Sequence, residues 1–264
     1  MLRSISIQLM WTDRPHAERV EAAAAAGFDL VDLWDRRDSD LDGVAETARR
    51  HGVGVNGFFG NRDHSLCDPD DVDAAIAEIA ENLDAAVRAG ARQLHLFSNA
   101  IRPGGVVAPL PELDRAELIS TGVRALRTVA PRAAEAGVQL VLEHLNTVFL
   151  PGYLWDEVAV TTEVAQAVDH PSVGVVFDVF HQQLVRGRLT DNLVACLPWL
   201  VRVDIAQVPD RAEPGLGEVD LGFLRDVLAR HGWDGTMTFE IVPSDGDPAT
   251  AVKDIDRLFP KVSA

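Results

Sequence analysis

The chain has 264 residues, 47% of them apolar, and a formal charge of −17. That length suits one large domain, since α/β barrels commonly run to about 250 residues. The acidity repels phosphate backbones and excludes nucleic acid as an expected partner; otherwise it reads as a well-solvated surface.

The N-terminal stretch "MLRSISIQLMW" alternates polar and apolar residues, a strand pattern and not a signal peptide. From there one unit recurs: a helix-like run, a glycine, then an apolar strand. It is seen in "AAAAAGFDLVDLW", "ARRHGVGVNGFF", "AVRAGARQLHLF", "AAEAGVQLVLEH" and "LARHGWDGTMTFEI", and "VDHPSVGVVFDV" repeats it with His-Pro as the stop. Strands are predicted near 4–9, 29–34, 53–58, 92–97, 139–143, 173–178, 200–206 and 236–241. Helices are predicted near 15–26, 40–51, 71–89, 112–137, 156–169, 190–198, 220–230 and 248–258. Eight alternating pairs predict parallel strands joined by crossovers, an α/β fold closed as a (β/α)8 TIM barrel over the single domain 1–264. A doubly wound open sheet is the alternative, but the first βα turn, "QLMWTDRP", lacks a glycine-rich phosphate fingerprint. The segments 99–112 and 146–156 read as long βα loops, where barrels carry function.

The two cysteines, Cys67 and Cys196, lie far apart and outside any CxxC pair, and read as free thiols of a reducing cytoplasm. No basic amphipathic segment argues for a membrane surface, and no apolar run reaches the roughly 18 residues of a spanning helix.

Barrel chemistry sits at the C-terminal ends of the strands. Strands five to eight end "LVLEHLN", "VGVVFDVFH", "VRVDIAQ" and "MTFEIVP", and each delivers one carboxylate to that rim: Glu143, Asp178, Asp204 and Glu240. Any one of them alone could be an N-cap of the following helix. Four in succession crowd negative charge that a divalent cation would relieve, and oxygen ligands suit Mg²⁺ or Mn²⁺ better than zinc. His181, three residues past Asp178, is either a packed residue or a substrate contact; His95 and His144 also fall near strand ends. Trp11 and Trp34 either pack under loops or wall a pocket. Arg202 and Asp204, two apart on a strand, face the same side, with Arg202 one layer deeper in the barrel. Either Asp204 ligates the metal and Arg202 supports it from below, or the two form a buried ion pair and three ligands hold the metal.

The chain resembles the xylose-isomerase-like barrel superfamily of sugar isomerases and epimerases, and within it looks most like the hydroxypyruvate isomerase group. The resemblance rests on "LVLEHLNT…PGY", "FDVFHQQ", "VPDRAEPGLGEVD" and "FEIVP", and is sharpest after residue 130. It implies that Glu143, Asp178, Asp204 and Glu240 hold one divalent metal, that Glu143 and Glu240 form the acid/base pair, and that His181 and Arg211 contact substrate oxygens. Without that role, Arg211 would be a surface arginine paired with Glu213. Where the group carries His or Gln on strand seven this chain has Asp204, and at 202, often His, it has Arg202. The loops "GFFGNRDHS" and "LFSNAIRPGG" also depart from the group.

The expected activity is a metal-dependent, cofactor-free isomerase of a small hydroxy-ketone, hydroxypyruvate-like or a short sugar or sugar acid. The alternatives are a ketose 3-epimerase using the same two glutamates and a non-catalytic sugar-binding barrel. The endonuclease IV enzymes share the barrel, but their multi-zinc, histidine-rich site is not matched by the few strand-tip histidines here. A homodimer or tetramer is a family-level expectation.

Overall fold

A computed structural model describes residues 1–261. Eight parallel strands close into a barrel in chain order: β1 (Leu2–Ser6), β2 (Leu30–Asp32), β3 (Gly54–Phe59), β4 (Gln93–Leu96), β5 (Gln139–Leu142), β6 (Val173–Asp178), β7 (Leu200–Ile205) and β8 (Thr236–Phe239). β1 pairs with β8, Ser4 opposite Thr238, so the ring closes and the open-sheet alternative falls. Around it lie α1 (His16–Ala25), α2 (Leu41–His51), α3 (Val72–Ala89), α4 (Arg115–Ala136), α5 (Val158–Val168), α6 (Val179–Val185), α7 (Leu189–Cys196), α8 (Leu221–Arg230) and α9 (Pro248–Leu258).

The punctuation follows the sequence. Helices α2, α3 and α4 close on Gly52, Gly90 and Gly137, each left-handed with φ of 70°, 69° and 67°. α5 closes on Asp169 (φ 54°) just ahead of His170–Pro171. Asp40, Asp220 and Asp247 cap α2, α8 and α9 by accepting backbone N–H bonds.

Two expectations change. β1 ends at Ser6, not near 9, because the backbone N–H groups of Leu9 and Met10 turn back onto the Ser6 carbonyl. An extra short helix, α6, starts directly after β6, so nine helices lie among the described residues where eight were expected. The long loop 99–112 contains a small antiparallel hairpin, Ile101–Arg102 against Val106–Val107.

Two irregularities set the phase of the inner face. Between β2 and β3 the register runs Val31 opposite Val55, then Asp32 opposite Gly57, which leaves Asn56 as an extra residue. Between β6 and β7 it runs Val175 opposite Leu200, then Val176 opposite Arg202, which leaves Val201 extra. Gly174 is required there: a Cβ would lie 2.3 Å from the Val201 side chain and 2.7 Å from the Trp199 carbonyl. With this phase Arg202 and Asp204 point into the barrel, level with Val176 and Asp178. The outward residues form the core against the helices; Phe239 packs on Phe28 and Phe259, with ring centroids 6.2 and 5.2 Å away. Each such ring contributes roughly 1.5–3 kcal/mol by burial. The barrel interior is polar, with Ser4, Asn56, Gln93, Thr238 and Arg202 all buried. Cys67 and Cys196 are free and buried, and none of the described helices is long and apolar enough to cross a membrane.

Candidate active site

The four rim carboxylates arrive as the strand ends dictate. Glu143 directly follows β5, Asp178 ends β6, Asp204 is next to last in β7, and Glu240 directly follows β8. All four are buried. Asp178, Asp204 and Glu240 present oxygens within 4.8 Å of one another, and so do Glu143 and Asp178 with a ring nitrogen of His181. Asp178 belongs to both groups. It also does what the capping alternative described: one oxygen, Oδ1, accepts the His181 backbone N–H at 2.8 Å and starts α6. The cap and the rim role therefore coexist on one side chain.

The two glutamates are held differently. Glu240 Oε1 accepts from the Trp34 indole at 2.6 Å, and its Oε2 lies 3.0 Å from Arg211 Nη2. Among the described residues the Glu143 carboxylate has a single side-chain partner, His95, whose Nδ1 lies 3.1 Å from Oε2. Burial pushes the Glu143 carboxyl well above the usual range, and the charges of Glu240 and Asp178 push it further.

Arg202 is 1% exposed and sits beneath the rim. Its Nε and Nη2 grip both oxygens of Asp204 as a fork, the second at 3.0 Å. Nη1 donates to Asp32 Oδ2 at 2.5 Å and also meets His95 Nε2. Burial opposes the guanidinium charge, but Asp204 and Asp32 outweigh it and keep it protonated. The structure thus shows the Arg202–Asp204 ion pair and also leaves Asp204 beside Asp178 and Glu240. Each Asp204 oxygen spends one lone pair on Arg202, so lone pairs remain for a cation.

Arg211 does not pair with Glu213. It stands left-handed (φ 56°), lies over the Phe180 ring at 5.1 Å, donates from Nε to the Glu240 carbonyl at 3.1 Å and reaches Glu240 Oε2. Glu213 instead accepts from the backbone and hydroxyl of Ser244, tying the β7 loop to the β8 loop.

His181 Nδ1 accepts the Asn146 backbone N–H at 2.9 Å. The proton of the neutral ring is therefore on Nε2, 3.9 Å from Asp178 Oδ2. Burial and then Arg211 hold the ring pKa well below the usual value, so it stays neutral. A ring with an N–H at Nε2 donates a hydrogen bond; it does not ligate a metal through that atom.

Above these groups a cavity of about 410 Å³ opens, walled by Trp34, Phe59, Phe97, Leu145 and Leu150 and lined by Glu143, His181, Arg211 and Glu240. Arg102 of the small hairpin stands at its mouth. Trp34 walls this pocket, but Trp11 does not: it lines a separate surface groove between α1 and α9. Sequence reasoning missed Asp32 and passed over His95. Asp32 carries the same signal as its counterparts, an acid at a strand tip.

The donor set fits a divalent cation. Asp32, Glu143, Asp178, Asp204 and Glu240 set five buried carboxyl groups against two guanidiniums, Arg202 and Arg211, and the cluster of Asp178, Asp204 and Glu240 offers oxygen donors alone.

The chain matches the family model described as "Xylose isomerase-like TIM barrel" over residues 20–260. It is 30% identical over 235 residues to a Mus musculus protein named "Putative hydroxypyruvate isomerase", covering 86% of this chain and 83% of that one. It is also 30% identical over 251 residues to a 2-oxo-tetronate isomerase of Haemophilus influenzae, covering 90% and 92%. Among solved structures, an AP endonuclease, family 2, from Brucella melitensis superimposes with a TM-score of 0.84 at 26% identity over the whole of both chains. With the closed barrel and the rim carboxylates, these matches show that the chain belongs to the xylose isomerase-like TIM barrel family.

Proposed function

We propose that the chain is a metal-dependent isomerase of small hydroxy-keto acids, moving a carbonyl between neighbouring carbons through an enediolate. The observation that carries this reading is the pair of buried glutamates, Glu143 and Glu240, each clustered with Asp178 and both lining one small cavity. The names of the relatives, hydroxypyruvate isomerase and 2-oxo-tetronate isomerase, supply the substrate class.

Glu143, Asp178, Asp204 and Glu240 would hold the metal, Mg²⁺ or Mn²⁺ by the hardness of the oxygen donors. When bound, it supplies positive charge at the substrate carbonyl and hydroxyl oxygens. The proteins' own groups do the rest. Glu143 has an oxygen, Oε1, that accepts no hydrogen bond among the described residues, and it takes the proton from the hydroxyl-bearing carbon next to the carbonyl. The electron pair moves into the new carbon–carbon double bond, giving the enediolate. Glu240, aligned by Trp34 and Arg211, takes a proton from solvent and delivers it to the former carbonyl carbon, while the hydroxyl proton passes to the former carbonyl oxygen as the new carbonyl forms and Glu143 returns its proton to solvent. The proton on Nε2 of His181 and the Arg211 guanidinium bind substrate oxygens, and the aromatic wall excludes water.

The test is incubation with hydroxypyruvate and with 2-oxo-tetronate in D₂O, with Mn²⁺ or Mg²⁺ and with a chelator. Deuterium at carbon together with a shifted carbonyl, an aldehyde from hydroxypyruvate and a 3-ketone from 2-oxo-tetronate, is the expected result. Inversion at carbon 3 of 2-oxo-tetronate with the carbonyl left at carbon 2 would assign the same residues to 3-epimerisation, and no exchange with any hydroxy-ketone would overturn both.

A further inference from the structure

We propose that Arg202 is a positioning residue for Glu143, acting through the tautomer of His95, an arrangement built by this chain's own departures on β7 and resting on the reading of Glu143 as the base.

The argument is one of donors and acceptors. A guanidinium donates and never accepts. Arg202 Nη1 meets His95 Nε2, so that nitrogen must present its lone pair. The ring is then neutral and its one proton is on Nδ1. Nδ1 lies 3.1 Å from Glu143 Oε2, so the bond between them is His95 Nδ1–H donating to the carboxylate. The opposite tautomer would set N–H against N–H at Arg202 and lone pair against lone pair at Glu143. Only one of the two satisfies both ends.

Arg202 is well placed to enforce this. Nε and Nη2 are committed to Asp204, and the other proton of Nη1 to Asp32. Asp32 is itself held by Asn56 Nδ2 at 3.0 Å, the extra residue at the β2–β3 irregularity. Four of the five guanidinium N–H bonds are directed, so the group cannot rotate away from His95 without breaking the fork. The path runs Asn56, Asp32, Arg202, His95, Glu143, from four different strands and the end of a fifth. Its result is that Oε2 of Glu143 is pinned by His95 while Oε1, which accepts no hydrogen bond among the described residues, is free to take a proton.

The direct test is the long-range ¹H–¹⁵N spectrum of histidine-labelled protein at pH 7.5, with His95 assigned by the signal lost in His95→Gln. The expected pattern is a neutral ring protonated at Nδ1; protonation at Nε2, or a charged ring, overturns the proposal. This arm needs no activity, so a wild-type protein without exchange would sink the proposed function and still leave the tautomer decided. The kinetic arm compares two replacements. His95→Gln keeps an acceptor for Arg202 and a donor for Glu143, whereas His95→Phe keeps only the volume. We expect His95→Phe to lower kcat by about 10–100-fold, typical of lost outer-shell partners, with KM within about twofold. His95→Gln should restore kcat to within about fivefold of wild type. Equal kcat for the two variants, or a loss confined to KM, would mean that His95 only fills space.

Discussion

Two groups of carboxylates share the C-terminal face of the barrel, and they are neutralised in different ways. On the β2 and β3 loops, Asp35, Asp38 and Asp63 meet Arg37 and Arg62. Asp35 accepts from both arginines, at 2.7 and 2.9 Å, and the network is partly exposed. At the ends of β5–β8 the carboxylates are buried and outnumber their arginines. The first arrangement sets three carboxylates against two arginines with solvent at hand, and its Asp38 and Arg62 reach the wall of the same cavity. The second leaves a surplus at the floor of a cavity, which is where a cation and a substrate have something to stabilise. The same contrast recurs within the second group: both Glu240 oxygens have donors, while Glu143 has one pinned oxygen and one free.

The largest effect expected from breaking that contrast is at the glutamates. Glu143→Gln should lose both isomerisation and solvent exchange at the hydroxyl-bearing carbon next to the carbonyl, by about the 10²–10⁴ of a lost general base. Glu240→Gln should lose isomerisation by at least about 10² yet keep exchange, because Glu143 can still remove and return the proton. Product analysis beside deuterium incorporation reads both; the reverse pattern would exchange their roles.

Asp204 comes next. Asp204→Gln leaves Arg202 with Asp32 as its remaining carboxylate. Removing one partner of a buried pair costs roughly 3–5 kcal/mol, and the surviving Asp32 contact puts the expectation at the low end, about 3 kcal/mol in thermal unfolding. If Asp204 also ligates, Mn²⁺ affinity falls in the same variant. Unchanged metal affinity would leave the pair with Arg202 as its whole role and three ligands for the metal.

Arg211→Ala sharpens the comparison from the substrate side. It removes the only guanidinium within reach of Glu240 among the described residues, together with the proposed substrate contact. KM should rise about tenfold or more while the unfolding temperature hardly moves, since the side chain is partly exposed. An unchanged KM would reduce Arg211 to a partner of Glu240 alone.

The strand-tip acids are legible because each closes a run of β-branched or apolar residues, as in "VGVVFD" and "MTFE", and barrel geometry gathers strand ends. Asp32 ends "LVDLW" in the same way, but acids at 35 and 38 follow and blur it, and its partner Arg202 lies 170 residues away. His95 alternates in phase with Gln93, which marks an inward position; that it bridges Arg202 and Glu143 depends on three strands meeting. α6 was missed because seven residues give too little periodicity, and its only cap signal, Asp178, was already read as a rim acid. Of the two readings of Trp11, the pocket wall depends on β1 running on to residue 9; the turn after Ser6 carries the ring to the α1–α9 groove instead.

The smallest expected effect belongs to the group that proteins' own charges already satisfy. Burial pushes the Asp35 carboxyl up, but hydrogen bonds from Arg37 and Arg62 outweigh it and bring the pKa down to about 2. A carboxyl depressed in the folded state stabilises the fold above its unfolded pKa, and that contribution is lost as the pH falls through the folded value. Asp35 should therefore contribute fully above about pH 4 and progressively less toward pH 2, to a total of about 1–2 kcal/mol after allowance for the exposed arginine partner. Chemical unfolding of wild type and Asp35→Asn at pH 7 and pH 2.5 checks this: the gap between them should narrow at the lower pH. Metal should raise the unfolding temperature of both proteins equally at pH 7, because Asp35 faces its arginines and not the cluster. A metal effect that shrinks in Asp35→Asn would join the two carboxylate groups into one electrostatic unit and break the division drawn between them.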